Sequence, residues 1–154
     1  MGKDSDNKKY LMAIDLGTST LKVAIFNSDG KIAAASSVEY PLSYPGKELV
    51  ENDVEKYWEA IAGLVKRSLK DLDGDPSNIL AISLSSQGET IVPVDKDINP
   101  LRPAIVWLDG RSSKEAVEIA SEFDEDELFS ITGMPASDPM WPASKIKWIE
   151  KNEP

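Results

Sequence analysis

The sequence predicts an α/β fold on three observations. Tyr10–Ile14, Thr20–Phe26 and Lys31–Tyr40 are apolar or β-branched runs of strand length, separated by turn residues. A helix-period run follows, with Val54, Tyr57, Trp58, Ile61, Leu64, Val65, Leu69 and Leu72 on one stripe. Ile79–Leu84 is then a compact apolar run of buried-strand type, and a strand reached through a helix of this length crosses over to a parallel position beside the first strand.

The first two strands pair as a hairpin across Asp15-Leu16-Gly17-Thr18-Ser19-Thr20. Asn27-Ser28-Asp29-Gly30 is a turn, and its successor returns as a third antiparallel strand, weakened by small residues. Pro41 to Glu51 reads as loop. Asn52 and Glu55 have capping-box spacing, so the long helix is expected from Asp53 to Leu72, with Tyr57 and Trp58 as core anchors. Asp73 to Asn78 ends it.

Thr90–Val94 and Ala104–Trp107 are expected as a hairpin around Asp95–Asn99, with Pro93 on an edge. Ser112–Phe123 and Asp126–Ile131 read as helices, the second stopped by Gly133. The acidic run Glu122–Glu127 reads as a solvated face and helix cap. Met134–Pro142 is a loop, and Ser144–Lys151 a last helix with Ile146 and Ile149 inward.

Composition narrows the chemistry. The 154 residues fit one domain, and residues 1–9 read as a disordered leader. Asp and Glu number 27 against 17 Lys and Arg, a net charge of −10 that disfavours nucleic acid, whose binding depends on basic side chains neutralising phosphates. There is no cysteine or histidine, so acid–base work falls to carboxylates. No apolar run reaches a membrane span and the first residues are too polar for a signal peptide, so a cytoplasmic protein is expected.

Three segments carry candidate chemistry. In the first turn, Gly17 allows close backbone approach, Thr18, Ser19 and Thr20 supply hydroxyls, and Asp15 at the strand end would need a hydrated Mg²⁺ between itself and a polyphosphate. The same residues also compose an ordinary polar turn. Gln87, Gly88 and Glu89 follow the parallel strand, at the carboxyl end where ligands of α/β sheets gather, or else open the next hairpin. Trp107, Asp109 and Arg111 could grip a polyol by stacking and charged hydrogen bonds, or equally form a core Trp and a surface salt bridge.

Together these segments resemble one family. Asp15 to Ser19 in its strand-loop-strand setting is similar to the Asp-x-Gly-Thr-[Ser/Thr] opening of FGGY carbohydrate kinases. Gln87-Gly88-Glu89-Thr90, the block from Val94 through Asn99-Pro100-Leu101-Arg102-Pro103 to Trp107-Leu108-Asp109-Gly110-Arg111, and Thr132-Gly133 followed by Trp141, Lys145 and Trp148 continue the resemblance over residues 10–154. It implies a ribonuclease-H-like, actin-like ATPase domain: a mixed sheet with a three-strand antiparallel meander plus crossover helices, incomplete in this chain.

The resemblance implies ATP and Mg²⁺ as cofactors, with Asp15 as the metal residue and Gly17, Thr18, Ser19, Thr20 and Lys22 around the phosphates. It implies a sugar or polyol substrate at Gln87, Gly88, Glu89, Trp107, Asp109 and Arg111. The catalytic Asp base and a second kinase domain are expected beyond Pro154, so the chain alone is expected to be inactive, with self-association through uncovered surface. Glycerol kinases carry Arg where Gly88 stands and xylulokinases a Met-His-Gly motif that this sequence lacks, so the resemblance does not select either substrate. Two other readings stay open: a metal-dependent nuclease using Asp15 and Glu89, and a non-catalytic interaction module docking through Pro135–Trp148.

Overall fold

The computed structural model describes residues 8–154. The expected leader lies outside them except for Lys8 and Lys9, which are exposed and carry no regular structure. Contacts divide the chain into two units, one made of residues up to Pro41 together with Glu55–Gln87, the other of Leu42–Val54 with Gly88–Pro154.

The first unit is a four-stranded mixed sheet with one helix. Strands β1 (Tyr10–Leu16), β2 (Thr20–Asn27) and β3 (Ile32–Glu39) form the expected antiparallel meander, and β5 (Ile79–Ser86) lies parallel to β1, giving the order β3-β2-β1-β5. The β2–β3 turn is shaped by Asn27, whose Oδ1 accepts from the amides of Asp29 and Lys31 while Gly30 takes φ 74°. Period-two alternation sends Tyr10, Met12 and Ile14 of β1 and Leu21, Val23 and Ile25 of β2 into the core. Helix α1 (Val54–Asp71) covers that face through Leu64, with Ile61, Val65 and Leu69 packed beside it. The small residues of β3 have a use here: Ser36 Oγ donates to Leu64 O at 3.0 Å and meets Ser68 Oγ at 2.7 Å, so the helix backbone approaches the strand closely.

Three expectations about α1 and β5 are corrected. Trp58 is 67% exposed whereas Tyr57 is buried; they are adjacent on the helix, and only one faces the sheet. Asn52 does not cap α1, because it sits in a short strand and its Oδ1 accepts from the amide of Asp53, the residue that precedes the helix. Strand β5 is not buried: Leu80, Ile82 and Leu84 are 62%, 62% and 70% exposed. Its apolar run signals burial, yet it is the edge of the sheet. Ile82 is in register with Met12, which is buried, so the helix cover ends between these two strands.

The second unit is built from short pieces. β4 (Glu51–Asn52) pairs antiparallel with β6 (Ala104–Ile105), extended by bridges Ser43–Glu51 and Ile91–Ile105. The expected Thr90–Val94 strand is therefore reduced to isolated bridges at Ile91 and Val94; Pro93 has no N–H to continue a ladder. Helices α2 (Ser113–Glu122), α3 (Glu125–Thr132) and α4 (Pro142–Asn152) follow. Asp124 caps α3 by accepting from the Glu127 amide at 2.8 Å, and Gly133 ends it at φ 73° with its N–H on Phe129 O, as the acidic run and the glycine predict. Pro142 stands at the first turn of α4 rather than in the loop, a position where its missing N–H costs nothing.

On α4 the inward pair is Ser144 and Lys145, both fully covered, while Ile146 is 59% exposed. Val117 of α2 is likewise 70% exposed. The buried residues of this unit include Asn52, Asp109, Ser112, Glu115, Ser144 and Lys145 beside its apolar ones, so apolar periodicity does not mark the inward stripe of α4. Among the described residues no helix is long and apolar enough to cross a membrane.

Candidate functional site

In the first unit the β1–β2 turn closes so tightly that a Cβ on Gly17 would stand 2.8 Å from the carbonyl oxygen of Thr20. Close approach, not φ, requires glycine there. Two carbonyls of the turn are tied back to one residue, the Tyr40 amide donating to Ser19 O at 3.1 Å and the Tyr40 hydroxyl to Gly17 O. Ser19 is exposed, Thr18 and Thr20 half-buried, and a cavity of about 440 Å³ opens beside them, lined by Ser19, Thr20, Glu39, Tyr40 and Pro41.

Asp15 is in register with Lys22 across the antiparallel pair and with Ser85 across the parallel pair, so alternation puts all three on the sheet face away from α1. Lys22 Nζ lies 3.7 Å from Asp15 Oδ2, with side chains 61% and 45% exposed, a weak pair that leaves the carboxylate open to solvent. Among the described residues no group of three or more Asp, Glu, His or Cys could hold a metal ion. A single half-exposed carboxylate fits Mg²⁺, which keeps most of its water and is commonly held by one or two carboxylates plus phosphate oxygens.

Gln87 directly follows β5 and is fixed from both sides: its amide donates to Leu16 O at 2.8 Å and its Nε2 to Tyr57 Oη at 2.9 Å. Tyr57 in turn meets Tyr40 edge-on, ring centroids 5.3 Å apart at 84°.

In the second unit Glu89 takes φ 62°, a left-handed conformation unusual for a non-glycine residue, while nothing lies within 4 Å of where a Cβ on Gly88 would be. The Trp107 amide donates to Thr90 Oγ1 at 3.2 Å, joining the two segments. Asp109 is buried, and four donors use its carboxylate: the Arg111 amide and Nε on Oδ1 at 2.9 and 2.7 Å, Arg111 Nη2 and the Val50 amide on Oδ2 at 2.8 and 2.6 Å. Arg111 also reaches Glu51 Oε1 at 2.7 Å and lies over the Trp148 ring, 5.0 Å from its centroid. Asp109 and Arg111, expected from the resemblance at the substrate, are thus engaged chiefly with each other and with Val50 and Glu51. A carboxylate offers about four lone-pair sites, and the protein fills them.

Lys145 completes this group. It is wholly covered, donates to Pro139 O at 2.9 Å and to Met140 O, and is pushed down to about 8 by burial, against the opposing charges of Asp109, Glu89 and Asp138. Sequence reasoning did not single out Glu51, Tyr40 or the buried role of Lys145. A lysine between Ser144 and Ile146 on an amphipathic helix reads as exposed, and nothing in the sequence around Tyr40 marks it.

The sequence matches the FGGY family of carbohydrate kinases, N-terminal domain, over residues 10–154. It is 36% identical over 147 residues to a glycerol kinase of Halothermothrix orenii, covering 95% of this chain and 29% of that protein. Against a gluconokinase of Bacillus subtilis the identity is 34% over 140 residues, covering 91% and 27%. In structure it resembles a gluconate kinase from Lactobacillus acidophilus with a TM-score of 0.84 at 28% identity, covering 96% of this chain and 29% of that one. A xylulose kinase from the same organism gives 0.83 at 28% identity, covering 94% and 29%. The chain thus spans less than a third of the length of these proteins.

Proposed function

Because this chain belongs to the FGGY family of carbohydrate kinases, we propose that it is the amino-terminal part of an ATP-dependent kinase that phosphorylates a small polyol, ketose or aldonic acid. The observation that carries this reading is the β1–β2 turn, a glycine-closed turn with three hydroxyl residues, two of which, Ser19 and Thr20, line an open cavity, and one carboxylate at the strand end.

In this reading Thr18, Ser19 and Thr20 with the turn amides bind the phosphates. Asp15 would hold the Mg²⁺, and Lys22 tempers the charge of Asp15. Mg²⁺ supplies neutralisation of polyphosphate charge. Gln87, Gly88, Glu89 and Trp107 face the substrate, while Asp109 and Arg111 act one step back, locking the Trp107 segment in place. A substrate hydroxyl attacks the γ-phosphorus, an oxygen–phosphorus bond forms as the β,γ-bridging bond breaks, ADP leaves, and the hydroxyl proton passes to a carboxylate outside residues 1–154. Such transfer depends on positioning and charge neutralisation, which a chain without Cys or His can provide. The protein works where ATP is, in the cytoplasm, and the uncovered edge of β5 makes the separate chain self-associate.

The test is ADP release from Mg·ATP over a panel of polyols, ketoses and aldonates, with the longer protein carrying this chain and with its Asp15→Ala variant. Turnover on one substrate class, reduced at least a hundredfold by the substitution, is the expected result; an unchanged rate would remove Asp15 from the metal site. The 154-residue chain alone should bind Mg·ATP weakly and show no transfer.

A further inference from the structure

We propose that Tyr40 is a positioning residue for the phosphate-binding turn: its hydroxyl and its amide hold the carbonyls of Gly17 and Ser19, on either side of Thr18, and so fix which way that peptide presents its N–H. The proposal rests on the kinase reading and deepens it.

All described peptide bonds are trans, so each N–H points opposite the carbonyl of the residue before it. With Gly17 O turned to the Tyr40 hydroxyl, the Thr18 N–H is directed away from Tyr40. A glycine turn is otherwise conformationally free, since glycine populates both signs of φ and can flip its following peptide at small cost. Gly17 is needed because the turn passes close to Thr20 O, and the freedom that comes with it is removed from outside by a single tyrosine anchored at two points.

Tyr40 is itself held. It packs against the unit's core, its ring meets Tyr57 edge-on, and the Tyr57 hydroxyl accepts from Gln87 Nε2 at 2.9 Å. The turn and the residue proposed to face substrate therefore share one aromatic support. Burial, then the neighbouring Tyr57 and Asp15, push the Tyr40 hydroxyl above the usual phenol range, so it remains a donor at neutral and moderately alkaline pH.

The test uses the 154-residue chain with Mg·ATP and with magnesium pyrophosphate, read by calorimetry and by amide shifts of residues 15–20. Tyr40→Phe removes the hydroxyl and keeps the ring; Tyr44→Phe, at a residue 68% exposed, is the control. The expected result is that Tyr40→Phe weakens both ligands about threefold to tenfold, the scale of one lost hydrogen bond. Its melting temperature stays near that of the unsubstituted chain, and Tyr44→Phe changes nothing. Equal affinity in Tyr40→Phe, with or without a lowered melting temperature, overturns the positioning role while leaving the turn as the phosphate site. No binding by the unsubstituted chain up to millimolar ligand overturns the phosphate assignment itself, and the role of Tyr40 with it.

Discussion

The Arg111 guanidinium forks onto the Asp109 carboxylate, Nε to Oδ1 at 2.7 Å and Nη2 to Oδ2 at 2.8 Å, with 3% and 0% of the two side chains exposed. Such a pair is costly to bury and costlier to break, because one charge then stays in a poor solvent without its partner. Asp109→Ala also strips the Val50 amide of its acceptor. The substitution should lower unfolding free energy by about 3–5 kcal/mol in urea titrations. A loss under about 1 kcal/mol, the scale of an exposed pair, would show that water replaces the carboxylate without difficulty.

Gly17→Ala tests a different constraint. The added carbon meets a backbone oxygen, Thr20 O at 2.8 Å, which cannot swing aside as a side chain would. The turn must open, at about 1–3 kcal/mol, the usual cost of overpacking. Because the displaced atoms belong to the proposed phosphate site, Mg·ATP affinity should fall more than stability does. Calorimetry beside thermal melting separates the two, and equal affinity in both forms would place the phosphates elsewhere.

What the sequence made legible follows from where backbone periodicity meets an apolar core. The meander, the long helix and the parallel return are readable because Tyr10, Met12, Ile14, Leu21, Val23 and Ile25 alternate cleanly toward α1. The same logic fails at β5, where a continuous apolar run proclaims burial and the strand lies at an edge. It fails again on α4, where Lys145 and not Ile146 faces inward, its ammonium donating to the carbonyls of Pro139 and Met140 just before the helix, a polar anchor that hydrophobic patterning does not register. For the site, the glycine turn and the Gln87–Glu89 and Trp107–Arg111 segments were visible as local motifs. The supports, Glu51 behind Arg111 and Tyr40 behind Gly17, lie 60 and 23 residues away and leave no local trace.

Lys145 gives a pH prediction. Its folded value, about 8, is below the 10.5 of a free lysine, so the folded state gives up this proton first. Between these values the unfolded chain binds more protons, and stability rises with pH. The unfavourable burial of the charge is thus fully present below about pH 8 and is relieved as pH climbs toward 10.5. Asp109, Glu89 and Asp138 oppose the shift and Arg111 adds to it, so the slope belongs to this whole group. Urea unfolding at neutral pH and near pH 10 should show the unsubstituted chain gaining stability relative to Lys145→Met. Parallel curves for the two proteins would mean that Lys145 titrates like an ordinary surface lysine.

The last prediction concerns the edge of the first unit. Strand β5 runs Ile-Leu-Ala-Ile-Ser-Leu-Ser-Ser from Ile79 to Ser86, with no charge and no proline, and such a strand lacks the devices that keep sheet edges from pairing. Antiparallel pairing of two copies about a two-fold axis would set the stripe of Leu80, Ile82 and Leu84 beside its own image, where no like charges oppose it. The separate chain should therefore gain mass with concentration in sedimentation experiments. Ile82→Lys places a charge in the middle of the stripe at a position already 62% exposed, so it should restore a monomer while changing unfolding free energy by no more than about 0.5 kcal/mol. If the unsubstituted chain stays monomeric at the highest soluble concentration, or if Ile82→Lys associates as strongly, the β5 edge is not where two copies meet.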